Sequence, residues 1–214
     1  MVPAMKRLVE PEILDTLPSD DPRAIASRVD LRRINFVMGN ERWILREVAK
    51  HPQAAAKGIV EWGAGEGCLL ERMSRFGPAT GVDLVPRPDG LPDAIDWQSG
   101  DVMKAAGMRG GILVANLFLH HFEANALREL GRRMSGFDVV IAVEPWRSPG
   151  SLALGFSMQP LVTRVTRHDM LASIRAGFAR RELAGLLGLD AGGWRIGEKA
   201  SFRGSLRWRA MKKK

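Results

Sequence analysis

The sequence predicts an α/β fold: a doubly wound, mostly parallel seven-stranded sheet with a C-terminal antiparallel hairpin and helices at the N-terminus. Three observations predict it. Short apolar runs alternate with amphipathic stretches beyond His51-Pro52; one such run opens into a cluster of glycines at 63–67; and the last two runs flank a turn containing Gly204. Strands separated by helical stretches signal βαβ units, and the glycine cluster between strand and helix makes the architecture Rossmann-like.

Residues 1 to 27 are rich in Pro, Asp and Ser without hydrophobic periodicity, which reads as a surface lead-in. From Asp30, taken as an N-cap, Leu31, Ile34, Val37, Met38, Ile44, Leu45 and Val48 recur at helical spacing, interrupted by Gly39-Asn40. Two short helices or one kinked helix follow from this. The strands expected next are Gly58 to Trp62, Thr80 to Leu84, Ile95 to Gln98, Ile112 to Asn116 and Val139 to Glu144, with helices over Cys68 to Phe76 and Ala124 to Met134. Asp169 is expected to cap a further helix, with His168 at its mouth. Trp194 to Ala200 and Leu206 to Met211 form the hairpin, the second alternating Leu206, Trp208 and Ala210 with Arg207 and Arg209. The division is 1–50, lead-in and lid helices, and 51–214, the ligand-binding domain, in one structural domain overall.

A chain of 214 residues suits one core without staples. Cys68 is the only cysteine, which excludes an internal disulfide and a cysteine zinc cluster. A reducing, cytoplasmic location is expected, because no apolar run approaches the ~20 residues of a membrane span and the first residues lack the core of a signal peptide. The formal charge is +8, and Arg203, Arg207, Arg209, Lys212, Lys213 and Lys214 carry most of it. That concentration reads as a solvated tail, or alternatively as an arm for phosphates.

The stretch Ile59-Val60-Glu61-Trp62-Gly63-Ala64-Gly65-Glu66-Gly67-Cys68 runs from a strand through glycines into a helix. Glycines let the backbone turn tightly and approach a nucleotide-type ligand. The spacing departs from the dinucleotide fingerprint, since Cys68 stands where its third glycine belongs, leaving E-x-G-x-G-x-G. Asp83 ends the next strand about 20 residues on, where such folds place an acid for ribose hydroxyls. Asp101 follows the third strand. Either aspartate has an alternative as a turn or helix cap. All three acids fall at carboxyl ends of expected parallel strands, where open α/β sheets bind ligands.

Beyond the fourth and fifth strands lie Ala115-Asn116-Leu117-Phe118-Leu119-His120-His121-Phe122 and Val143-Glu144-Pro145-Trp146-Arg147, expected to open on the same face. His121 is a candidate base, as imidazole titrates near ~6.5; a hydrogen-bonded structural role is the alternative for it and more so for His120. No metal is expected, because adjacent side chains diverge and no further ligand pattern accompanies them. Arg147 and Arg175 are candidates for an acidic or phenolate substrate, with structural ion pairs as the alternative. Leu31, Ile34, Phe36 and Trp43 either cover a ligand as a lid or pack on the sheet.

The E-x-G-x-G-x-G pattern resembles the first motif of class I S-adenosylmethionine-dependent methyltransferases. N-L-F-L-H-H-F, E-P-x-R and T-R-H-D…S-I-R-A-G-F resemble a bacterial small-molecule subgroup, some members of which accompany polyketide synthases of the chalcone-synthase type. The similarity spans roughly residues 12 to 200, and Ser201-Phe202-Arg203-Gly204-Ser205 departs from the subgroup's aromatic and histidine pattern. The resemblance implies S-adenosylmethionine held by Glu61, Gly63, Ala64, Gly65, Gly67, Asp83, Leu84, Asp101, Val102 and Asn116. It implies catalysis by His121 and His168, and acceptor contacts from His120, Glu144, Arg147 and Arg175. The expected reaction is methyl transfer to oxygen or carbon of a small aromatic, quinone-like or polyketide acceptor. An RNA methyltransferase is the first alternative, disfavoured because Asn116 is not followed by the N-P-P-[FY] pattern, and a non-catalytic donor-binding regulator is the second. The sequence leaves the oligomeric state open.

Overall fold

The computed structural model describes residues 5–18, 20–105 and 108–213. Its sheet contains β1 (Ile59–Trp62), β2 (Ala79–Asp83), β3 (Ile95–Ser99), β4 (Gly110–Asn116), β5 (Phe137–Pro145), β6 (Trp194–Ala200) and β7 (Ser205–Lys212). The order is β3-β2-β1-β4-β5-β7-β6. The first five strands pair in parallel, and β7 runs antiparallel to both β5 and β6. This is the expected doubly wound sheet with its terminal hairpin.

The central strands read as unbroken apolar runs because helices cover both faces. On one face Val60, Trp62, Leu113, Ala115, Val140 and Ala142 pack with Leu127 and Leu130 of α6 (Ala124–Met134) and Leu183 and Leu187 of α9 (Leu183–Leu187). On the other, Ile59, Ile112, Val114, Ile141 and Val143 meet α3 (Asn40–Val48) and α5 (Cys68–Met73). Each fully buried Val, Leu or Ile among them contributes about 1.5–3 kcal/mol. The short helix α4 (Pro52–Ala55) leads into β1.

The N-terminal region departs from expectation. Helix α2 spans Pro22–Met38, capped by Asp21, whose carboxylate accepts from Arg23 N–H. Asp30 is therefore not a cap. It lies buried in mid-helix and accepts hydrogen bonds from Thr163 N–H at 2.7 Å and the Thr166 hydroxyl at 3.1 Å. Gly39 at φ 67° ends α2 and turns the chain into α3, a left-handed geometry that glycine adopts without a Cβ penalty. The supposed surface lead-in is partly structural, since it forms α1 (Ile13–Thr16) and binds α8 (Arg164–Ala176). Thr163, not Asp169, caps α8, its hydroxyl accepting from Thr166 N–H, so His168 lies within the helix. Helix α7 (Pro149–Met158) precedes α8.

The basic terminus is not a free tail. Arg203 donates to Val37 O, Arg207 to Met38 O, and Arg209 pairs with Glu47 at 2.7 Å, all from the β7 hairpin. Lys214 lies outside the described residues. No helix among the described residues is long and apolar enough to cross a membrane.

Candidate functional site

Strand order reverses at β1, which is flanked by β2 on one side and β4 on the other. A crevice at such a point is where open α/β sheets bind ligands. The glycine turn leaves β1 there, with Gly63, Gly65 and Gly67 at φ 69°, 56° and 74°. A Cβ on Gly63 would stand 2.3 Å from the Phe118 ring, so glycine is required by packing as well as by backbone.

Glu61 is buried in β1, and its Oε2 has no hydrogen-bond partner. Burial, with the charges of Glu41 and Asp83, pushes this carboxyl well above its ordinary range. Asn116 also holds a buried, unpartnered Oδ1. The register sets Trp62 beside Ala115, so Gly63 is level with Asn116, and Glu61 and Asn116 share one face of neighbouring strands. Two buried acceptors without donors thus adjoin the glycine turn. An isolated buried acceptor costs about 1–3 kcal/mol, a cost that a cationic, hydrogen-bonding ligand removes. The next residue, Leu117, adopts φ 55°, a strained conformation for a residue with a Cβ.

Asp83 ends β2 with Oδ2 accepting Gly65 N–H at 2.7 Å and Oδ1 accepting Val85 N–H at 3.1 Å. It therefore ties the second strand to the glycine turn. Leu84, beside it, is exposed. Asp101 accepts Met103 N–H at 2.8 Å, and Val102 packs in the core. A cavity of about 260 Å³ lies between these strand ends, lined by Val82, Gln98, Ser99, Gly100 and Asp101. Ala64 is buried behind the turn.

A second constellation adjoins the first. Glu144, fully buried at the end of β5, accepts the backbone N–H groups of Phe118, Leu119 and His120 at 3.1, 2.8 and 3.2 Å, and lies 2.8 Å from His120 Nδ1. It thereby shapes the turn that presents both histidines. His120 Nε2 faces Glu12 Oε1 at 3.5 Å. Burial alone would lower the His120 pKa, but its bonds to Glu12 and Glu144 and their charges raise it to about 9. His121 stacks beside it, ring centroids 4.2 Å apart, with Nδ1 3.7 Å from Asp15 Oδ2. Burial, then the charge of His120, lowers His121 to about 4, and burial with the charges of Glu12 and Asp169 raises Asp15 to about 6. Asp15 also feels the charge of Asp83, so the two constellations are electrostatically continuous.

Sequence reasoning missed Glu12 and Asp15, which lie in an aperiodic stretch over a hundred residues from the histidines they meet. No local signal marks them. The segment is docked by Arg7, which donates to the carbonyls of His120, Phe122 and Ala176. Asp169 holds its other end, accepting Ile13 N–H at 2.8 Å and Leu14 N–H at 3.0 Å while lying 2.9 Å from His168 Nδ1. Arg147 is buried and engaged by Glu182 and by Gly177 O, and Arg175 is half-buried, 4.0 Å from Glu10. Neither guanidinium joins the histidine cluster.

No family model matches the chain, and no curated protein does. Among solved structures, the plantazolicin methyltransferase BpumL in complex with SAH is similar at TM-score 0.70 and 13% identity, covering 91% of this chain and 92% of that one. A putative O-methyltransferase from Nostoc punctiforme aligns at TM-score 0.59 and 13% identity over 82% of this chain and 57% of its own. The magnesium protoporphyrin IX methyltransferase of Synechocystis, with bound SAH, aligns at TM-score 0.55 and 17% identity over 86% of this chain and 93% of that one. At these identities the shared property is the fold.

Proposed function

We propose that this chain is an S-adenosylmethionine-dependent methyltransferase acting on oxygen or carbon of a small aromatic, quinone-like or polyketide acceptor. The observation that carries the reading is the pair of unpartnered buried acceptors, Glu61 Oε2 and Asn116 Oδ1, beside a glycine turn at the point where strand order reverses. A sulfonium amino acid nucleoside brings an ammonium group and a positive sulfur, which such acceptors suit. Solved neighbours of the same fold hold its demethylated product, and the sequence motifs resemble the same class.

In this reading Gly63, Ala64, Gly65 and Gly67 admit the donor's amino-acid half, with Glu61 and Asn116 accepting from it. Asp83 exchanges its bond to Gly65 N–H for the ribose hydroxyls, and Leu84, Asp101 and Val102 border the base beside the 260 Å³ cavity. The donor supplies an activated methyl group: the methyl–sulfur bond breaks, its electron pair stays on sulfur, and the methyl joins the acceptor. The chain's residues align the two partners and exclude water. His168, oriented by Asp169, takes the acceptor's proton where one has to leave, and His121 meets the reacting oxygen. His120 and Glu144 hold His121 in place, and Arg175 lies on the outer rim.

Titration calorimetry with S-adenosylmethionine and S-adenosylhomocysteine tests the reading. Micromolar binding of either supports it, and the absence of heat with both would overturn it.

A further inference from the structure

Glu12, His120 and His121 each bring one donor atom to within 4.8 Å of the others. Imidazole nitrogen and carboxylate oxygen bind divalent transition metals at about 2.0–2.2 Å, which puts neighbouring donors of a tetrahedral ion about 3.4 Å apart. His120 Nε2 and Glu12 Oε1 stand at 3.5 Å. That is long for a charge-assisted hydrogen bond, which is about 2.7–2.9 Å, and close to the spacing of two ligands on one ion. Adjacent histidines on one turn are expected to diverge, and so to hold no metal between them. Here the rings lie 4.2 Å apart with a 35° tilt, because the 3-10 turn over Leu119–His121 turns both toward α1.

The surroundings are those of a ligand shell. Glu144 lies 2.8 Å from His120 Nδ1 and is itself fixed by three backbone N–H groups, which leaves Nε2 directed at Glu12. A carboxylate behind a histidine is the usual outer support of a metal-bound imidazole. Ser173 donates to the same Glu12 Oε1, which fixes the carboxylate. Asp15, 3.7 Å from His121 Nδ1, is within reach as a further oxygen donor.

We propose that Glu12, His120 and His121 bind a divalent transition metal of the zinc or cobalt type, whose open position takes the oxygen of a phenolic or enolic acceptor. This rests on the methyltransferase reading and names its substrate class: an acceptor with an ionisable hydroxyl. The metal takes the place of the proton on His120 Nε2, which leaves to solvent. The acceptor hydroxyl then loses its proton to solvent as its oxygen coordinates, and the methyl group transfers to that oxygen as the carbon–sulfur bond breaks, its electron pair staying on sulfur.

The chelator-stripped full chain is titrated with Co2+ and followed by visible absorption. One equivalent should bind with d–d bands of a nitrogen and oxygen site. Glu12→Gln and His121→Ala should each weaken binding at least tenfold, given that even supporting residues are worth about 10–100-fold, while His51→Ala leaves it unchanged. No uptake by the folded wild-type chain, or uptake that neither variant weakens, would overturn the site. Crystals of the wild-type protein soaked in Zn2+ need no variant: an anomalous peak between Glu12 and the two imidazoles is expected, and a peak elsewhere or none contradicts it. Calorimetry with S-adenosylhomocysteine on the same sample separates the two ideas, since donor binding without metal uptake defeats this proposal alone.

Discussion

Glu61 and Glu144 are both buried carboxylates, yet they stand at opposite ends of polar satisfaction. Glu144 is surrounded by donors, whereas Glu61 Oε2 has none. Glu61→Gln should therefore keep or raise the melting temperature at neutral pH, because it removes a carboxyl whose ionisation burial opposes. The same change should weaken donor binding by about 10–100-fold, matching the 1.5–3 kcal/mol of a hydrogen bond to a charged group. Equal loss of both properties in calorimetry and thermal melts would contradict this assignment. Glu144→Ala should behave in the other way, unfolding the chain more easily by at least about 3 kcal/mol in urea, as three backbone donors lose their acceptor. At this scale the sequence was informative about where Glu61, Asp83 and Asn116 stand, at or beside strand ends, since strand ends and glycines are local patterns. It said nothing of Glu12 or Asp15, whose partners are fixed only by tertiary docking.

Between elements, the contact of α3 with β7 sets a pH dependence. Burial would raise the Glu47 pKa, but bonds from Lys50 and Arg209 outweigh it and hold the carboxyl below its ordinary 4.5. A folded-state pKa below the unfolded one means stabilisation that is present above about pH 4.5 and lost as pH falls through the lowered value. Arg209→Gln should flatten the fall in melting temperature between roughly pH 5 and pH 3 relative to wild type, a difference that calorimetric melts across that range can measure. The hydrogen bond from Gly65 N–H to Asp83 likewise couples β2 to the glycine turn. S-Adenosylhomocysteine at a hundred times its Kd should add about 2.7 kcal/mol and raise the melting temperature by roughly 5–10 °C.

Across the whole molecule, the charged terminus that suggested an arm for nucleic acid is a strand of the sheet. Removing residues 203–214 should abolish cooperative unfolding in circular dichroism, because β7 joins β6 to β5. A truncated chain that melts like wild type would contradict this. The sheet was legible because alternation and apolar runs are properties of each strand by itself, and the hairpin from Leu206, Trp208 and Ala210 was read for the same reason. The starts of α2 and α8 were not, since Asp30 and Asp169 look like caps but spend their carboxylates on distant backbone N–H groups. The docking of residues 7–14 against residues 120–122 and 169–176 has a consequence for how the protein is made. Residues 7–14 leave the ribosome before α8 does, and they cannot take their place until it has emerged. The cluster of Glu12, Asp15, His120 and His121 is therefore completed late in synthesis, after the sheet that carries the glycine turn has its first five strands.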